Sequence, residues 1–182
     1  VSTSGPIGLV MPKVYEGLFD YDNDGKMVPM LAESYEMSAD GKTVTFKLRK
    51  NVRWHDGKPF TSADVKFSIL EVLKKVHPRG PNSFREVSRI DTPDDHTAIF
   101  HLDNPAPYMM RSFSAYESPM VPMHLLEGQD VKSASLANNP VGTGPFKFVE
   151  WKITHSHPIN HSFALSYSIT QSFTHSLICL HL

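Results

Sequence analysis

All 37 charged side chains, 18 Lys plus Arg and 19 Asp plus Glu, fall within the first 152 residues, and the 30 residues from Ile153 to Leu182 hold none. No other feature of the sequence divides it so sharply. At ordinary composition about one residue in four is charged, so a run of this length without one splits the chain into two unequal pieces. The first piece, 1–152, mixes apolar and charged positions in the proportions from which a core and a solvated surface are built together. The second, 153–182, holds five of the ten His, six Ser and no Gly. There Phe163, Leu165, Tyr167 and Ile169 alternate with small polar residues, which is a strand period, and such a strand has edges without charged gatekeepers. We read this Ser- and His-rich tail as atypical, out-of-frame or foreign sequence, with a diverged natural terminus as the alternative.

A formal net charge of -1 supplies no field to hold a polyanion. The cations Lys42, Lys47, Arg49, Lys50, Arg53 and Lys58 are interleaved with strand residues rather than contiguous, so nucleic acid is not an expected partner. No apolar run approaches the roughly 20 residues that cross a bilayer, so no membrane span is expected. The single Cys179 excludes an internal disulfide. No basic-then-apolar leader precedes Val1, which leaves either a cytosolic protein or one whose signal peptide has been removed.

Within the first piece the periodicities agree with one another. Ile7, Val10, Met11, Val14, Tyr15 and Leu18 recur at helical spacing, and Pro12 places the start of a regular helix that ends around Gly17. Val44, Phe46 and Leu48 alternate with polar residues, and Asp40–Gly41 upstream turns the chain back to a strand holding Tyr35 and Met37, a half-buried hairpin. Thr61 followed three residues later by Asp64 is an N-terminal capping pattern, and Val65, Ile69, Val72, Leu73 and Val76 form one apolar stripe behind it, stopped by His77, Pro78 and Gly80. A second alternating segment, Ala98, Phe100 and Leu102, follows a turn at Pro93–Asp95. A short helix is expected after Pro107, and a turn at Val141–Pro145 leads into Phe146 and Phe148. Helices and strands mixed along the whole region predict an α/β or α+β lobe rather than a bundle or a sandwich.

Several local patterns invite a chemical reading and fall short of one. Asp20, Asp22, Asp24 and Gly25 match the first half of a calcium loop, but the closing position that should be a bidentate Glu is Leu31, so a solvated acidic turn is expected. Gly142–Gly144 resembles a phosphate cradle, yet Lys147 stands where a dinucleotide fingerprint needs its third Gly. His55 beside Asp56 is half of a catalytic pair without a nucleophile, and adjacent turn residues point apart. His155, His157 and His161 have the chemistry of a transition-metal set without a carboxylate to orient the rings, so no metal is expected, with those three as the weak alternative. Met109, Met110, Met120 and Met123 read as adaptable core packing.

Four segments in order carry a resemblance. They are YEGLFDYDNDG at Tyr15–Gly25, the long stretch from Leu31 to Ser68, the stretch from Asp94 to Tyr108, and NPVGTGPFKFVEW at Asn139–Trp151. With them the chain resembles the N-terminal part of the family 5 extracellular solute-binding proteins, the peptide and nickel type. The resemblance implies a partial lobe of a class II periplasmic-binding-protein-like fold with a mixed sheet. It further implies a non-enzymatic receptor, periplasmic or extracytoplasmic, that captures a peptide-like solute and delivers it to the permease subunits of an ATP-binding cassette importer. No cofactor is implied. Family members run to about three times this length, so the chain is read as their truncated first third, impaired as a receptor. By the same analogy the cleft wall is expected at Thr3, Ser4 and Gly5 and the neighbouring Pro6, at Asn82 and Phe84, and at Tyr116 and Ser118 with Glu117 between them. A nickel or metal-chelate receptor of the same family is the alternative reading, and a small hydrolase using His55 and Asp56 is the alternative from another class.

Overall fold

Val44, Phe46 and Leu48 lie on one strand, Ala98, Phe100 and Leu102 on its neighbour, and all six side chains are buried on the same face of one sheet. The computed structural model describes residues 11–131, 139–153, 161–167 and 176–180, of which 151–153, 161–167 and 176–180 are described as backbone. The central sheet has the strand order β3 (Ala32–Met37), β4 (Thr43–Leu48), β6 (Thr97–Leu102), β5 (Val87–Asp94). Its registers place Phe46 opposite Tyr35 on one side and opposite Ala98 on the other. Helices and strands alternate as the α/β class requires, and every described strand pair is antiparallel. Each strand pair of the central sheet is joined locally or by the single crossover through the helical region, and no parallel neighbour is needed.

The β3–β4 hairpin closes as its turn residues require. Gly41 takes φ 68, Ser38 N–H donates to Thr43 O at 2.9 Å, and Asp40 Oδ1 accepts from Ser38 Oγ at 2.6 Å and from Lys42 N–H at 3.0 Å. Tyr35 and Met37, expected to be half-buried, stand on the sheet's edge strand and are 38% and 39% exposed. The other edge, β5, was hidden in the sequence by Pro93. That proline falls in a register shift between Asp91 and Asp94, at an edge and a bulge, the two places where a strand tolerates a missing N–H. The turn itself comes later, where Asp94 Oδ1 accepts from His96 N–H at 2.8 Å.

A continuous helix crosses the inner face of the sheet as α2 (Ser62–Phe67), a π-helical stretch (Ser68–Leu73) and α3 (Lys74–Val76). The cap at its start is reciprocal with tertiary structure: buried Asp64 accepts from Thr61 N–H at 2.9 Å through one oxygen and from Met123 N–H at 2.9 Å through the other. The stripe expected to be single is split between two cores. Val65, Ile69 and Leu73 face the sheet with Phe46, Phe100 and Phe113, and Val72 faces a second cluster with Val14, Tyr15, Val121 and Leu126. In the first core Phe113 meets Phe46 edge-on at 4.9 Å between centroids and Phe100 at 5.7 Å, an arrangement worth about 1 kcal/mol per pair beyond area burial. Met109, Met110 and Met120 are buried beside it, as packing.

Residues 11–14 are helical and belong to a first helix, α1, which ends before Tyr15 rather than around Gly17 as expected. The remaining elements are the hairpin β1 (Phe19–Tyr21) with β2 (Met27–Pro29), a short helix α4 (Gly80–Ser83), the 3-10 turn Pro107–Ser112, and helix α5 (Met123–Leu126). At the far end β7 (Phe146–Ile153) pairs with β8 (His161–Tyr167), which pairs with β9 (Ser176–Leu180). Phe146 and Phe148 pack on the second core. β7 therefore runs through the compositional boundary at 152.

Candidate functional site

The loop after the long helix and the loop after Phe113 meet. At His77 the backbone turns to ψ 136 and leaves the helix. Gly80 then passes so close to the helix end that a Cβ there would stand 2.0 Å from Leu73 O, so only glycine permits this return. The loop brings Arg79 across to the second loop, where its Nη1 lies 3.0 Å from Glu117 Oε1 and its guanidinium sits 5.1 Å from the ring centre of Tyr116. One cation thus joins two loops that are about 37 residues apart in the chain through a charge pair and a cation–π contact, each modest at a half-exposed position. His77 is buried beside it, its ring below the ordinary histidine value because burial penalises the charged form and Arg79 repels it. Its Nδ1 accepts the Arg79 N–H at 3.3 Å.

The expected wall residues divide by exposure. Asn82 is exposed, and its N–H donates to Arg79 O at 3.1 Å. Tyr116 is 43% exposed, its ring presenting one face to Arg79. Phe84 is fully buried, 5.6 Å from Phe113 between ring centres, and anchors its loop from inside the core rather than presenting a surface. Ser118 is fully buried too, its hydroxyl donating to Ser112 O at 2.5 Å. Thr3, Ser4, Gly5 and Pro6 lie outside the described residues, as do His155 and His157, and His161 is described only as backbone of β8. Sequence reasoning did not find Arg79 as the link between the loops. Neither its neighbours nor any spacing signals it, since its partners lie on a distant turn.

A second junction binds three of the segments that carry the resemblance. The extended residues 15–17 run between two other stretches, with Met120 N–H donating to Glu16 O at 3.0 Å and Leu31 N–H to Gly17 O at 3.2 Å. A Cβ on Gly17 would fall 2.1 Å from Phe113 O. Beyond it, Gly142 and Gly144 seat the 142–144 turn on α1: a Cβ on Gly142 would fall 1.8 Å from Val14 O, and Gly144 N–H donates to that oxygen at 2.8 Å. Burial pushes the Tyr15 hydroxyl and the Glu16 carboxyl above their ordinary values at this junction. The 142–144 pattern is therefore a packing device.

His55 and Asp56 point apart, as adjacent turn residues do, and each is engaged elsewhere. Both ring nitrogens of His55 meet the backbone of Gly142 and Gly144, whereas Asp56 Oδ2 lies 2.6 Å from His124 Nε2 on α5. They form no dyad. His55 is half-buried. The Asp20–Gly25 pattern forms the β1–β2 hairpin turn: Asp22 Oδ1 accepts from Asp24 N–H at 3.0 Å and from Lys26 N–H at 2.8 Å, and Gly25 takes φ 75. Among the described residues no group of three or more His, Cys, Asp or Glu is placed to hold a metal ion, and no helix is long and apolar enough to cross a membrane.

Comparison with known proteins places this geometry. The family "Bacterial extracellular solute-binding proteins, family 5 Middle" matches residues 26–157. A Brucella ovis protein named as an ABC transporter peptide-binding protein is 37% identical over 140 residues, covering 74% of this chain and 26% of its own. The glutathione-binding protein GsiB of Pectobacterium atrosepticum is 33% identical, covering 80% of this chain and 28% of its own. The chain thus spans about a quarter of the length of the curated relatives it matches. Among solved structures, NikZ of Campylobacter jejuni in complex with Ni(L-His) superposes with a TM-score of 0.75 at 31% identity, covering 87% of this chain and 30% of that one. The oligopeptide-binding protein AppA of Bacillus subtilis in complex with a nonapeptide superposes with a TM-score of 0.78 at 25% identity, covering 92% and 33%.

Proposed function

This chain belongs to the family 5 bacterial extracellular solute-binding proteins, and from that membership we propose that it contributes to the solute-capturing component of an ATP-binding cassette importer that takes a peptide-like solute. In this reading the protein works outside the inner membrane, hands its cargo to permease subunits and performs no chemistry on it. The observation that carries the reading is the pairing of family segments with the architecture they need: Gly17, Gly142 and Gly144 allow backbone approaches that a Cβ would block, and relatives more than 30% identical to the chain are named for peptide and glutathione binding. We place the solute near the exposed parts of the joined loops, Asn82, Arg79 and Tyr116, with the segment holding Thr3, Ser4 and Gly5 as a further wall. The domain division at residue 152 belongs to the same proposal, with 153–182 as an appended tail.

A receptor of this kind gains most of its affinity by burying the solute between walls, and a chain of about a quarter of the relatives' length supplies part of one. Losing about 4 kcal/mol of such contacts weakens binding about a thousandfold. Titration of mixed short peptides into the purified chain should give saturable binding weaker than about 1 μM, with the peptides recovered intact by mass spectrometry. Cleaved peptides, or no saturable binding at any concentration, would defeat the proposal. The metal-chelate reading rests on the NikZ likeness. It predicts a shift in melting temperature with nickel–histidine and none with peptides.

A further inference from the structure

The turn Trp54–Gly57 and the turn 142–144 are about 88 residues apart, yet bonds centred on one residue, His55, join them. His55 N–H donates to Gly142 O at 2.8 Å, and Lys147 Nζ donates to His55 O at 3.0 Å. Beside these bonds the imidazole spans the turn: Nδ1 accepts the Gly142 N–H at 3.2 Å, and Nε2 lies 2.8 Å from Gly144 O. A carbonyl oxygen only accepts and an amide N–H only donates. The ring is therefore neutral with its proton on Nε2, the one form that satisfies both partners. Gly144 N–H at the same time donates to Val14 O, so the ring and α1 hold the two peptide units that flank the Gly144 Cα.

We infer that His55 is a proton-sensitive latch: in its neutral form it clamps the 142–144 turn to the Trp54–Gly57 turn and α1, and a proton taken up at Nδ1 turns its bond with Gly142 into a donor–donor contact that opens the turn. Opening also breaks the backbone bond from His55 N–H to Gly142 O, while the Nε2–H bond to Gly144 O survives protonation, so the turn hinges about Gly144 rather than detaching. The charged groups on the elements around the ring are Lys147 of β7, which opposes a second positive charge, Asp56 of its own turn, which favours one but is held by His124 of α5, and Lys13 and Glu16 on the segment packed behind the turn. Burial and Lys147 together keep the ring below the ordinary histidine value, against the opposing pull of Gly144 O and Asp56. The latch does not depend on what solute the protein carries.

Amide exchange of the full chain tests this directly. Opening takes up one proton. The opening constant read at Gly142, after division by the intrinsic exchange rate, should rise about tenfold per pH unit as pH falls from about 6.5 to the latch's own lower value, then level off. Nitrogen shifts of the His55 ring should report the Nε2–H form at neutral pH. In His55→Asn, whose amide oxygen takes the Nδ1 place and does not titrate, Gly142 exchange should lose that slope, and in His124→Gln it should keep it. Gly142 protection that is flat with pH in the wild-type chain, a ring protonated on Nδ1, or a slope that persists in His55→Asn would each overturn the latch. If His55→Asn does not fold, the wild-type exchange and ring shifts decide.

Discussion

Substituting Gly17 by alanine adds one methyl group at a point where the structure leaves no room for it. The new Cβ would stand 2.1 Å from Phe113 O, 2.6 Å from Ser114 C and 2.7 Å from Ala115 N, and all three are backbone atoms that cannot rotate away. Gly17 is not in the left-handed region, so the cost is steric and not conformational. Relief requires the 113–115 segment to move outward, which strains the aromatic contacts of Phe113 and stretches the bonds from Phe19 N–H to Phe113 O and from Met120 N–H to Glu16 O, at 3.2 and 3.0 Å. Overpacking of a rigid site costs about 1–3 kcal/mol and each weakened bond up to about 1 kcal/mol, so a loss of about 3 kcal/mol is expected. Gly57→Ala is the control, with φ 89 and nothing within 4 Å of its Cβ, and it should lose only about 1 kcal/mol from backbone strain. Urea unfolding followed by the emission of buried Trp54 measures both. A Gly17→Ala chain as stable as Gly57→Ala would refute the claim that close backbone approach dictates this glycine.

Asp64→Ala should destabilise the chain by about 2–4 kcal/mol and Thr61→Ala by about 1 kcal/mol, because only the first strands the half-buried Met123 N–H as well as the helix start, and thermal unfolding separates them. Asp56 pairs with His124, and although burial raises its carboxyl, the bonds from His124 and from Lys58 N–H and the charges of those two residues outweigh that and hold it below the ordinary value. A lowered carboxyl stabilises the fold above its unfolded value of about 3.9 and loses that stabilisation as pH falls through the folded value, so His124→Gln should flatten the acid limb of the melting-temperature profile below about pH 4. Calcium titrated calorimetrically into the chain should give no micromolar isotherm, since Asp22 Oδ1 is occupied by two backbone N–H groups; such an isotherm, abolished by Asp22→Ala, would contradict this.

What the sequence determined by itself was local. The Asp40–Gly41 turn, the Thr61–Asp64 cap, the alternation through Phe46 and Phe100 and the segments carrying the family resemblance are governed by interactions within a few residues, and chain order displays such interactions directly. Tertiary structure alone decided which of these elements met. The order β3-β4-β6-β5 makes an edge strand of β5 and so admits Pro93, the division of one helical stripe between two cores follows from what packs on each side, and the burial of Phe84 follows from Phe113 reaching into the sheet. For the candidate site, analogy indicated two loops, while the Arg79 link between them and the His55 clamp on Gly142 were illegible, because each joins groups dozens of residues apart. A charged or polar side chain reads the same in sequence whether it ends in water or on a distant backbone, and only the packing that closes that distance selects its partner.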